Sequence, residues 1–189
     1  MSWEELAQAK LYGPLGMTST SSRYADFVSR PNRAVGHVLI DGAWTAKYAR
    51  QPDAQSPAGG VSSSVRDLAQ WLRLQLNGGS VDGEPVVDAA ALAETHRPQV
   101  ISRAPVDPTV DQAGFYGLGW NVGYGDAGRV RLGHSGAFSL GAGTAVGLLP
   151  HEQVGIVVLT NAAPVGSAET VVNNFLDTLL DGAPSRDWL

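Results

Sequence analysis

The sequence predicts an α+β fold: an antiparallel sheet of three to four strands with a C-terminal helix packed on it, preceded by a helical and loop portion. Three observations carry this. Between residues 115 and 160, apolar runs alternate with turns bearing Gly or Pro, and connections that short make antiparallel hairpins. A helix with one apolar stripe follows the last run, and it most simply packs back on the sheet. Before residue 113, capped helical segments alternate with irregular stretches rich in Ser, Pro, Arg and Gly. The chain is expected to form one partial domain over 1–189, with a helical and loop region at 1–112 and the sheet and last helix at 113–182.

The elements follow in order. Ser2-Trp3-Glu4-Glu5 is a capping box, with Ser2 as N-cap and Glu5 reaching back. Trp3, Leu6, Ala7 and Lys10 then share a face at helical spacing, and Gly13-Pro14 ends the helix. A full cap this early suits a natural start or a chain cut in mid-fold. Residues 18–60 are weakly periodic, with a short strand near Val35–Ile40. A long irregular stretch points to function or to a fragment. Ser64 caps a helix whose stripe is Val65, Leu68, Ala69, Leu72 and Leu76, and Asn77-Gly78-Gly79 ends it. A shorter helix spans roughly Asp88–His96. The strands are Phe115–Val122, Val130–Ser139, Gly143–Leu149 and Val154–Thr160. Ser167 caps the last helix, whose stripe is Val171, Val172, Phe175, Leu176, Leu179 and Leu180, and Gly182 ends it.

Composition bounds function. The chain has 189 residues, 43% of them hydrophobic and 16% charged, with a formal net charge of −5. That suits a domain with a real core. A mildly acidic chain with no Lys/Arg cluster suits neither nucleic acid nor an anionic membrane. No apolar run reaches the roughly 18–20 residues of a membrane span. Met1–Glu5 does not have the pattern of a secretion signal, and the compartment is left open. There are no cysteines, so no thiolate nucleophile or disulfide is available. His37, His96, His134 and His151 are scattered without metal-binding spacing. No metal and no cofactor is expected.

One strand carries chemistry-bearing residues. Leu132-Gly133-His134-Ser135-Gly136-Ala137 places a polar pair between glycines in an otherwise apolar run. Glycine in a strand often marks close approach of a ligand or another backbone. A Gly-rich hairpin with a surface His is the plainer reading. Ala137-Phe138-Ser139-Leu140-Gly141 lacks one residue of a nucleophile elbow and has no helix after it, so Ser139 is a hairpin residue. Gly123-Tyr124-Gly125-Asp126-Ala127-Gly128 matches a dinucleotide-binding pattern but leads into a strand, and reads as a hairpin turn.

Several segments stand in register around that strand. They are Pro14-Leu15-Gly16-Met17, Ser56-Pro57-Ala58-Gly59-Gly60-Val61-Ser62-Ser63 before the Asp67-Leu68-Ala69-Gln70-Trp71-Leu72 helix, Tyr116-Gly117-Leu118-Gly119-Trp120, and Gly155–Asn161. In this order the chain resembles the serine hydrolases related to class C β-lactamases and DD-peptidases (penicillin-binding-protein-like), over about residues 3–181. The resemblance implies a partial β-lactamase/DD-peptidase-like fold. It also implies that His134-Ser135-Gly136 is the family's third active-site motif, a substrate-binding strand. The backbone N–H of Ala137 would then be an oxyanion-hole donor. His134 stands where the family often has Lys, which weakens the fixed charge for a substrate carboxylate and favours ester or peptide substrates over β-lactams.

Two family motifs are missing. The only lysines are Lys10 and Lys47, and Ala7 and Trp44 stand three residues before them, so there is no Ser-x-x-Lys. None of the five tyrosines has Asn two places on, and no Ser does. The chain is therefore expected to be the C-terminal half of such a hydrolase, acting on a small ester, peptide or β-lactam-like substrate only in the complete protein. An N-terminal half or a second copy of the chain is the expected partner. The alternative is a non-catalytic remnant that binds a peptide, a cell-wall fragment or another chain along an open sheet edge.

Overall fold

The computed structural model describes residues 1–107, 109–125 and 128–188. Helix α1 (Trp3–Ala7) opens with the predicted capping box, then widens into a π-helical turn, Gln8–Tyr12, closed by the Gly13 N–H bonding back to Gln8 O at 2.9 Å. That turn changes the buried face. At a regular helical period Trp3, Leu6 and Lys10 would join Ala7 inside. Instead Ala7 and Tyr12, five residues apart, are buried with Leu15 and Met17, while Trp3, Leu6 and Lys10 stay exposed.

The predicted irregular stretch holds α2 (Tyr24–Ser29), a small hairpin of β1 (Val38–Ile40) and β2 (Ala43–Thr45), and the short α3 (Ser56–Gly59). Buried hydroxyls organise it. Asp67 Oδ2 accepts from Ser19 N–H at 2.7 Å and Thr20 Oγ1 at 2.8 Å, and Ser56 Oγ donates to Ser22 O at 2.8 Å. These bonds stand where a regular ladder would otherwise satisfy the backbone.

Helix α4 (Val65–Leu76) begins where Ser64 Oγ accepts from Asp67 N–H. It is a wedge between two clusters rather than a helix with one buried stripe. Leu74, absent from the predicted stripe, is fully buried against Ala7, Tyr12, Leu15 and Met17. Leu72 turns instead to Trp120, Val122, Leu132 and Leu148 of the sheet. Val65, in the predicted stripe, is exposed. The minor hairpin of β3 (Ser80–Val81) and β4 (Glu84–Pro85) follows, and then α5 (Ala89–Thr95), capped by Asp88.

The main sheet has six antiparallel strands in the order β10-β9-β8-β7-β6-β5, not three to four. They are β5 (Val100–Arg103), β6 (Gly114–Tyr116), β7 (Asn121–Tyr124), β8 (Val130–Phe138), β9 (Ala142–Leu149) and β10 (Val154–Thr160). Two differences from expectation explain the count. The predicted strand Phe115–Val122 is a tight hairpin, β6 and β7, reversed through Gly119 at φ +87°. Strand β5 is exposed along its whole length, so it carries no alternation to betray it. Ser139 lies in the β8–β9 turn as expected. The turn read at Gly123–Gly128 joins β7 to β8, with Gly125 N–H bonded to Arg129 O, although Asp126 and Ala127 lie outside the described residues.

Helix α6 (Ser167–Asp181) packs on β9 and β10. Its N-cap is Gly166 in the left-handed region, not Ser167, and Gly182 ends it as predicted. Val172 and Leu176 are buried against Ala145 and Leu149, but Val171, Phe175 and Leu179 of the predicted stripe are 51, 43 and 48% exposed. The sheet is thus covered by α4 on one face and α6 on the other. Among the described residues no helix is long and apolar enough to cross a membrane.

Candidate active site

Strand β8 crosses the middle of the sheet, and its two halves differ. From Val130 to Gly133 it pairs with both β7 and β9. From His134 to Phe138 it pairs with β9 alone, because β7 begins at Asn121 opposite Gly133 and the chain before it turns away. The carbonyl of Phe138 accepts from Gly141 N–H on the β9 side at 2.9 Å, and that of Gly136 receives Thr144 Oγ1 at 3.4 Å. Backbone polar groups alternate along an antiparallel strand. Those of Ser135 and Ala137 therefore face the edge that β7 leaves open.

Side chains alternate too. Leu132, His134, Gly136 and Phe138 stand on the α4 face, and Gly133, Ser135 and Ala137 on the α6 face. His134, Ser135 and Ala137 are exposed. His134 Nε2 lies 3.0 Å from the hydroxyl of Tyr116. Ser135 borders an open groove shared with Arg131, Glu169 and Asn173. At Gly136 a Cβ would lie 2.9 Å from Thr144 Oγ1, so this glycine serves packing within the sheet as well as any approach from outside.

A cation sits at the end of the strand. The Arg50 guanidinium stacks on Phe138, 3.7 Å from the ring centroid, and donates from Nη1 to Gly59 O at 2.8 Å. A Cβ on Gly59 would meet the Phe138 ring at 3.0 Å. This pins the C-terminal end of α3 against the tip of β8. Sequence reading left Arg50 and Tyr116 without roles; their contacts with Phe138 and His134 are long-range and carry no local signal.

The other histidines lie apart from this strand. His37 bridges to Ala162 beyond β10, and His151 pairs with Glu152. His96 bonds Gln75 Oε1 at 2.9 Å and meets Trp120 edge-on, and burial pushes its pKa down. Ser62 pairs with Ser21, Ser63 with Thr20, and Ser64 caps α4.

Known proteins share this fold. The model of the family described as Beta-lactamase matches residues 1–176. No curated protein matches. Among solved structures, an octameric penicillin-binding protein homologue from Pyrococcus abyssi superposes with a TM-score of 0.78 at 24% identity, over 100% of this chain and 40% of its own. A class C β-lactamase from Rhodobacter sphaeroides gives 0.69 at 23% identity, over 95% of this chain and 55% of its own. A D-stereospecific amidohydrolase from Streptomyces sp. gives 0.68 at 18% identity, over 97% and 49%. The chain thus spans about half the length of the structures it resembles. The match of the family model to nearly the whole sequence, together with this shared fold, makes the chain a member of the Beta-lactamase family.

Proposed function

We propose that this chain is the substrate-side part of a serine hydrolase that cleaves esters or amides through an acyl-enzyme, and that it is inactive by itself. The observation that carries this reading is the open half of β8, where the Ser135 and Ala137 backbone groups face an edge with no strand partner among the described residues. An extended substrate segment can pair there, and His134, Ser135 and Gly136 line its path. The N–H of Ala137 then stands ready as one oxyanion donor, a contribution of roughly 10²–10³ in rate where such donors have been removed. The nucleophile, its lysine and the tyrosine base come from polypeptide outside these residues, in one domain of which 1–189 is a part. With His134 in the strand, neutral esters and peptides suit the site better than substrates that need a fixed positive charge.

The same edge supports a second reading, a non-catalytic remnant that holds a peptide by strand addition. Pure 189-residue protein should neither turn over nitrophenyl esters nor take up a fluorophosphonate label. Stoichiometric labelling with turnover sinks the claim of inactivity. Calorimetric binding of an extended peptide, lost in Ala137→Pro because that variant removes the N–H, supports pairing at β8. Binding that survives the substitution places the peptide elsewhere.

A further inference from the structure

The segment Tyr116-Gly117-Leu118-Gly119-Trp120 does more than carry β7 away from β8. It is clamped from both sides. Tyr116 O accepts from Gln99 N–H at 2.8 Å, Gly117 N–H donates to Trp120 O at 2.8 Å, and Leu118 N–H donates to Thr95 O at 3.0 Å. A Cβ at Gly117 would lie 2.5 Å from Thr95 O and 2.8 Å from Arg97 O, so no side chain fits there without displacing backbone. Trp120 closes the turn, buried and stacked on Trp71 with ring centroids 5.4 Å apart.

Tyr116 stands at the head of this rigid turn. Its hydroxyl is 3.0 Å from His134 Nε2, with ring centroids 6.1 Å apart. The other nitrogen of His134, Nδ1, makes no hydrogen bond among the described residues. A phenol is a good donor and a poor acceptor, whereas the bare nitrogen of a neutral imidazole is a good acceptor. We propose that Tyr116 is a positioning residue for His134: its O–H donates to Nε2, which fixes the neutral ring as the Nδ1–H tautomer and leaves Nδ1–H as a directed donor at the open edge of β8. A neutral imidazole free in water favours the opposite tautomer, so the contact with Tyr116 reverses an intrinsic preference. That the donor serves a substrate rests on the proposed role of the β8 edge; the tautomer itself does not.

Long-range proton–nitrogen spectra of the 189-residue chain, uniformly labelled with ¹⁵N and recorded well above the pH at which its histidines titrate, test this directly. His134 resonances are assigned by their loss in His134→Asn. The expected result is a protonated Nδ1 and a bare Nε2 for His134, converted in Tyr116→Phe to the Nε2–H preference of a free imidazole. His37, His96 and His151 should keep their patterns and so report an intact fold. A wild-type His134 protonated at Nε2 overturns the proposal whether or not the variant folds, and so does a tautomer that Tyr116→Phe leaves unchanged. An extended peptide that binds without moving the His134 ring signals overturns the β8 reading while the expected tautomer still upholds the role of Tyr116.

Discussion

Asp177 is buried on α6 and gathers four donors. Arg131 Nη1 reaches Oδ1 at 3.0 Å, and the Ser185 N–H, the Ser185 hydroxyl and Trp188 Nε1 reach Oδ2 at 3.0, 2.7 and 2.8 Å. Burial by itself raises this carboxyl, but the bonds from Ser185, Trp188 and Arg131 outweigh it and hold its pKa at about 2. The folded value lies below the unfolded one of about 3.9, so the stabilisation is fully present above that value and is lost as pH falls toward 2. Urea unfolding between pH 4.5 and 2 should therefore fall more steeply for wild type than for Asp177→Asn; parallel curves would disprove the assignment. At neutral pH, Asp177→Ala should cost roughly 2–4 kcal/mol by removing the ion-pair partner of Arg131, which keeps only its bond to Asn173 Oδ1, and by loosening the 185–188 tail. Burial depresses His96 in the same direction, so its contribution is also lost as pH drops below the ordinary histidine value near 6.5.

Two elements have sharp packing requirements. Leu74 is fully buried in the cluster that joins α4 to the π-turn. Leu74→Ala should cost about 2–5 kcal/mol by chemical denaturation. A loss below 1 kcal/mol would mean that α4 is not a wedge. On the other face, a Cβ at Gly147 would lie 2.6 Å from Leu176 Cδ1 and 2.8 Å from Val172 Cγ1. Gly147→Ala should push α6 off β9 at a cost of about 1–3 kcal/mol, and Leu176→Val alongside it should recover part of that loss.

At the scale of the whole molecule, the sheet ends on β5 and β10 among the described residues. Strand β5 is short and carries Arg103. Strand β10, Val154-Gly155-Ile156-Val157-Val158-Leu159-Thr160, has no charge and is the outermost strand of the sheet among the described residues, and α6 above it exposes Val171, Phe175 and Leu179. An uncharged edge beside an apolar stripe promotes self-association. Light scattering should show mass rising with concentration for the isolated chain, and Phe175→Lys should reduce that rise. A strictly monomeric chain at high concentration would show that these surfaces are inert.

Much of this was legible in sequence, for identifiable reasons. Capping at Ser2 and Ser64 depends on residues three apart. The strands β8, β9 and β10 are apolar and bounded by turns, so their patterns are local. The placement of His134, Ser135, Gly136 and Ala137 on one strand followed from the apolar run Val130–Ser139, and the family from the register of neighbouring segments. Tertiary structure decided the rest. Burial of Tyr12 in place of Lys10 came from a π-turn stabilised by packing, and burial of Leu74 from a cluster formed by residues some sixty positions earlier. The exposure of Val171, Phe175 and Leu179 depends on what covers α6, which periodicity cannot report. The open half of β8 exists because β7 stops opposite Gly133, and the bond from Tyr116 to His134 spans eighteen residues. Local spacing determines which face a residue can take, but only the folded chain determines what, if anything, lies against it.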